Sequence, residues 1–150
     1  MLRSSPRVGS WLLASVVASA CTSFAGYPDP IPDTAPCEQP DYEASYQWIL
    51  DEVITKRCAV NMACHQDASP LEDFDLRPEV ALASLRGPSK QHPDMPITSP
   101  GEPERSYLMV KLGAYDQSER FGELMPWESE LCREQLLAID EWIAAGAPVN

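Results

Sequence analysis

Histidine is scarce in this chain: 150 residues hold only His65 and His92, too few for a histidine-rich metal site. A zinc site drawn from Cys58, Cys64 and His65 lacks a fourth ligand at zinc spacing. No glycine-rich phosphate loop and no Gly-x-Ser-x-Gly elbow occur, and no Cys/His pair has a marked orienting group beside it. The common nucleotide-binding and nucleophilic enzyme classes are therefore without a motif. Basic residues are few as well: 11 Lys and Arg stand against 23 Asp and Glu, a net charge of −12 at pH 7. Such a surface repels phosphate backbones and anionic membranes, which argues against nucleic acid as a partner. The apolar run at residues 11–17 is too short to cross a bilayer as a helix.

What the N-terminus does have is the layout of a secretory signal over residues 1–20. Arg3 and Arg7 form the basic start, the apolar run follows, and Ala18-Ser19-Ala20 precedes Cys21. Cleavage after Ala20 leaves either a plain secreted chain or a lipidated Cys21, and the second makes a lipid on Cys21 the route to a membrane. Removing residues 1–20, which hold two arginines and no acid, moves the charge to −14. The expected location is the periplasm or outer cell envelope. Residues 21–40 are rich in Pro, Asp and Thr without apolar periodicity and read as an extended linker behind any anchor. Five cysteines in an exported chain meet an oxidising compartment. With Cys21 set aside, Cys37, Cys58, Cys64 and Cys132 allow two disulfides, or one disulfide and a pair spent on a cofactor.

Residues 41–150 read as one all-α domain. A first helix is expected over 41–57, with Asp41 as N-cap and a stripe of Tyr42, Tyr46, Ile49 and Val53 at three-to-four spacing. Pro78 at a first helical position introduces a short helix with Val80, Ala81 and Leu85, stopped by Gly87-Pro88. Pro103 introduces another, carrying Tyr107, Leu108, Val110 and Leu112 before Gly113. The last helix is the best marked: Cys132 and Gln135 stand where a capping box has Ser or Thr and then Glu or Gln. Leu136, Ile139, Trp142 and Ile143 make its stripe, and Gly146 and Pro148 close it. The acids Glu128 and Glu130 read as a solvated face.

The order of a helix, Cys58 to Cys64-His65, Met125-Pro126 about sixty residues on, and a capped helix with Trp142-Ile143 and Gly146-Ala147 resembles the class I cytochrome c domain of secreted bacterial proteins. The resemblance covers residues 41–148. It implies one covalently bound haem c, thioethers from Cys58 and Cys64, His65 as the proximal iron ligand and Met125 as the distal one. Met95-Pro96 is a second Met-Pro pair, but only Met125 precedes the marked terminal helix. Imidazole binds haem iron strongly, and a methionine thioether raises the reduction potential. Leu124, Trp127, Leu136 and Trp142 are expected to supply an apolar shell. With Cys58 and Cys64 on haem, Cys37 and Cys132 remain as the disulfide.

The function this implies is electron transfer in the cell envelope, to a redox partner with a basic face, without substrate chemistry. The family motif separates its thiols by two residues, whereas five stand between Cys58 and Cys64. Positions six apart in a helix differ by about 240 degrees, so attachment through both thiols requires residues 59–63 to bulge. The alternative reading is a haem-less domain of the same fold, stapled by disulfides, acting as a structural or binding module. Labelled fatty acid on the wild type but not on Cys21→Ser is the outcome expected of a lipoprotein; an unlabelled wild type ends that reading.

Overall fold

The computed structural model describes residues 31–39, 41–60, 64–66 and 74–149. The leader, Cys21 and the first half of the linker lie outside the described residues. The first helix starts at Tyr46, not near Asp41, because the Ser45 hydroxyl accepts the Trp48 N–H at 3.3 Å and caps it. It runs as an α-helix, α1, over Tyr46–Ile49 and continues as a π-helix over Leu50–Cys58. In that wider stretch the bonding is five residues back, ending with Ala59 N–H on the Ile54 carbonyl at 2.7 Å. Tyr46, Ile49, Leu50, Val53 and Ile54 are buried. Five-residue bonding brings Cys58 round to the side of Val53.

α2 is Ala81–Leu85. It begins later than Pro78 suggests because the Arg77 carbonyl takes the N–H groups of both Val80 and Ala81 and makes a turn of residues 78–80. The helix expected from Pro103 onward is split. A 3-10 turn at Pro103–Arg105 gives way to extended Ser106, and α3 then spans Tyr107–Lys111. The buried Ser106 hydroxyl accepts the Ser99 N–H at 2.8 Å and donates to the Glu102 carbonyl at 3.1 Å, competing locally with helical bonding. α4 is Arg133–Ala144, with Cys132 as N-cap and its N–H held by Gln135 Oε1 at 3.2 Å. Beyond it Gly146, at φ 93°, lets the chain turn so that Ala147 N–H returns to the Trp142 carbonyl. No strand occurs among the described residues; Pro88 and Pro96 form one isolated bridge. The domain is all-α there, and no helix among the described residues is long and apolar enough to cross a membrane.

The core lies between the first helix and α4. Trp142 is fully buried, its ring centre 6.0 Å from that of Tyr46, and Gln135 Nε2 donates to the Glu52 carbonyl at 3.2 Å. Residues 31–39, read from composition as part of a linker, are extended but lie against α4. Ile31 is buried, the Ala35 carbonyl accepts the Arg133 N–H at 3.1 Å, and Cys37 N–H donates to Glu134 at 2.6 Å. A disulfide joins Cys37 to Cys132. Glu134 completes a cluster with these two sulfurs, but they are spent on each other rather than on a metal.

Cross-linking residues 95 apart removes chain entropy from the unfolded state worth roughly 4–5 kcal/mol. The paired variant Cys37→Ala with Cys132→Ala should lose about 2–5 kcal/mol of unfolding free energy in urea. A loss under about 1 kcal/mol would show that the strap adds nothing.

Candidate cofactor cleft

Cys58 ends the π-helical stretch where the core meets an open cleft. It borders both that cleft and a small internal void shared with Val53, Ile54 and Trp142. The chain leaves the helix at Ala59 (φ −99°, ψ 45°) and comes back: His65 N–H donates to the Cys58 carbonyl at 3.1 Å. In an α-helix such a bond joins residues four apart. Here it joins residues seven apart. Residues 61–63, part of the stretch that attachment through both thiols would require to bulge, lie outside the described residues.

Three contacts hold His65. Besides its own N–H bond, its carbonyl accepts the Leu76 N–H at 2.7 Å, and its Nδ1 lies 3.0 Å from the Phe74 carbonyl. A carbonyl only accepts, so Nδ1 carries the proton, and in the neutral ring Nε2 keeps its lone pair. The Phe74 ring packs edge-on at 5.2 Å and fixes the imidazole plane. Arg77 in turn anchors the 74–77 turn by a two-pronged bond to Asp75, whose carboxyl it holds below the usual range.

The cleft has a volume of about 270 Å³, close to the lower end of the roughly 300–1,000 Å³ of ligand sites. Cys58, His65 and Met125 all line it, although Met125 is sixty residues from His65. Phe74, Leu76, Ile97, Leu108 and Leu112 give it mainly apolar walls, and Ser89, Lys90, Gln91 and Lys111 a polar margin. The chain has three lysines, Lys56, Lys90 and Lys111, and two of them stand at this cleft. In so acidic a molecule that placement favours a ligand with anionic groups.

Lys111 also fixes the loop that presents Met125. Its carbonyl accepts the Met125 N–H at 2.8 Å, and its Nζ donates to the carbonyls of Phe121 at 3.0 Å and Glu123 at 2.7 Å. Met95 packs on the core and does not line the cleft, and Met109 is fully buried. His92 is also outside the cleft: its Nε2 meets Glu119 at 2.7 Å and its ring lies against Tyr107. It ties two loops together.

Among the predicted apolar shell, Leu136 and Trp142 belong to the core of α4, while Leu124 and Trp127 are 44% and 71% exposed. None of the four lines the cleft. Leu108 and Leu112 replace them from a stripe already visible in the sequence. Phe74 and Leu76 sit in a stretch without periodicity, where no sequence signal marks them.

Cys58 and Cys64 are both free thiols, so the pairing of four cysteines into two disulfides is not realised. Cys64 is half-buried and does not line the cleft. Burial, with a smaller contribution from neighbouring Cys64, pushes the Cys58 thiol from 9.0 up to about 12. At neutral pH it is protonated, which disfavours a role as thiolate nucleophile. A fixed imidazole, a protonated thiol and a thioether around an apolar cleft suit the holding of a planar or metal-bearing cofactor better than acid–base catalysis. No family model, curated protein or solved structure matches this chain.

The raised Cys58 value has a measurable sign in protein made without cofactor. On unfolding, the thiol reverts to near 9.0, so above that pH the unfolded chain loses its proton first. Stability is then unaffected by this group below about pH 9 and falls as pH rises towards 12. Urea unfolding across that window should show a shallower fall for Cys58→Ala than for wild type; equal slopes would rule out burial of this thiol.

Proposed function

We propose that the chain is an electron-transfer protein of the cell envelope that holds one haem c. The observation that carries this reading is the convergence of Cys58, His65 and Met125, remote in sequence, on one mainly apolar cleft. The donor set fits the group. His65 would hold the iron through Nε2, its tautomer kept by the Phe74 carbonyl. Met125 would hold it through its sulfur, on a loop fixed by Lys111. Among the described residues Cys58 and Cys64 are the two thiols outside the Cys37–Cys132 disulfide, and thiols add across haem vinyl groups to form thioethers. Cys58 faces the cleft, and Cys64 lies close enough to influence its titration.

When bound, haem iron takes up and releases one electron between its Fe(III) and Fe(II) states. The chain's own residues orient it and exclude water. Apolar walls and a methionine ligand favour the reduced state and raise the potential. Lys90 and Lys111 suit the two carboxylates that haem carries. The protein does no substrate chemistry in this reading and serves a redox partner with a basic face. A disulfide across the domain accords with an oxidising, exported location, with Cys21 as the point of any lipid anchor. The haem-less, disulfide-stapled alternative has less support, because it needs Cys58 and Cys64 to be bridged.

Expressed with c-type maturation, the protein should show a Soret band that survives denaturation. Met125→Ala should lose the weak near-infrared sulfur-to-iron band of the oxidised form, and Met95→Ala should keep it. Iron-free material after proper maturation, with Cys58 and Cys64 oxidised into disulfides, would overturn the proposal.

A further inference from the structure

Among the described residues five large apolar side chains are exposed, and three of them fall within seven residues: Phe121 at 64%, Leu124 at 44% and Trp127 at 71%. The other two, Val60 and Val149, stand far apart in sequence. The trio flanks Met125, which lines the cleft from the same loop. Looseness of the loop does not explain the exposure. Lys111 grips the carbonyls of Phe121 and Glu123, its own carbonyl holds the Met125 N–H, and the Tyr107 hydroxyl lies 3.3 Å from the Phe121 N–H. Large aromatic side chains presented on a fixed backbone are what the energetic centre of a protein interface requires, since little freedom is lost on binding.

The charge around this centre is mainly acidic, although the Lys111 ammonium lies against the carbonyls of Phe121 and Glu123. Residues 113–131 carry Asp116, Glu119, Glu123, Glu128 and Glu130, all exposed, against the single cation Arg120. A second copy of the chain would set −12 against −12, and an anionic membrane would repel the rim equally. A partner with the opposite rim is attracted, and electrostatic complementarity of this kind sets register and speeds encounter.

We infer that Phe121, Leu124 and Trp127 form the centre of a docking surface for a protein that presents an apolar spot bordered by Lys and Arg. The assignment of that protein as the redox partner rests on the electron-transfer reading; the surface itself does not.

The test uses the matured full chain and, as probe, mitochondrial cytochrome c, a soluble protein with a lysine-rimmed face. Calorimetric titration at low salt should give a one-to-one complex. Phe121→Ala with Trp127→Ala should weaken it at least tenfold; both side chains are exposed, so the fold is kept. Glu123→Gln with Glu128→Gln should weaken it several-fold, and Glu43→Gln with Asp51→Asn, which removes equal charge elsewhere, less than twofold. Affinity within twofold of wild type for the apolar variant would overturn the inference. So would sedimentation showing a Trp127-dependent dimer, or Trp127-dependent binding to phosphatidylcholine vesicles. The absorption spectrum of the purified protein before any probe is added keeps the two readings apart. A haem-free protein that binds through Trp127 keeps the surface and loses electron transfer, and a haem-bearing one that does not bind loses the surface alone.

Discussion

The packing of the first helix on α4 is the constraint from which the rest follows. Trp142 sits wholly inside that interface against Tyr46, and Gln135 reaches across it to the backbone at Glu52. Burying an indole removes about 150–250 Å² from water, worth roughly 4–6 kcal/mol at about 25 cal/mol per Å². Set against a net stability of about 5–15 kcal/mol for a domain, one such contact decides whether the two helices stay together. Their contact fixes the direction in which the first helix ends, and so delivers Cys58 and then His65 to the cleft.

Around the cleft, positions are set mostly by backbone bonds. Cys58 is bonded to His65, His65 to Leu76, and Lys111 to Met125, each through main-chain groups. Side chains at these positions can therefore vary in chemistry without moving the frame. The charge is arranged with equal economy: an acidic exterior is left with two of its three lysines at the mouth of an apolar cavity.

Periodicity carried most of the helical reading. Ile49, Val53, Leu136, Ile139 and Trp142 are buried as their spacing implies, because a stripe at three-to-four intervals has only one way to reach a core. Boundaries were less legible. Asp41 and Ser45 are both good caps, and only tertiary packing chooses Ser45; the five-residue bonding up to Cys58 leaves no mark in an apolar stripe. Residues 31–39 look like a linker in composition, since a strap held by a disulfide and a few backbone bonds needs no apolar period. That Met125 lines the cleft agrees with its place before the last helix. Trp127 and Leu124 were misplaced because hydrophobicity alone does not tell an inward side chain in a loop from an outward one.

The disulfide between Cys37 and Cys132 turns most of the domain into a closed covalent ring. Cys58, Cys64, His65 and Met125 all lie within it. A protease that cuts one peptide bond anywhere on that ring leaves a single molecule, its two pieces tethered. One nick therefore does not separate the groups that line the cleft.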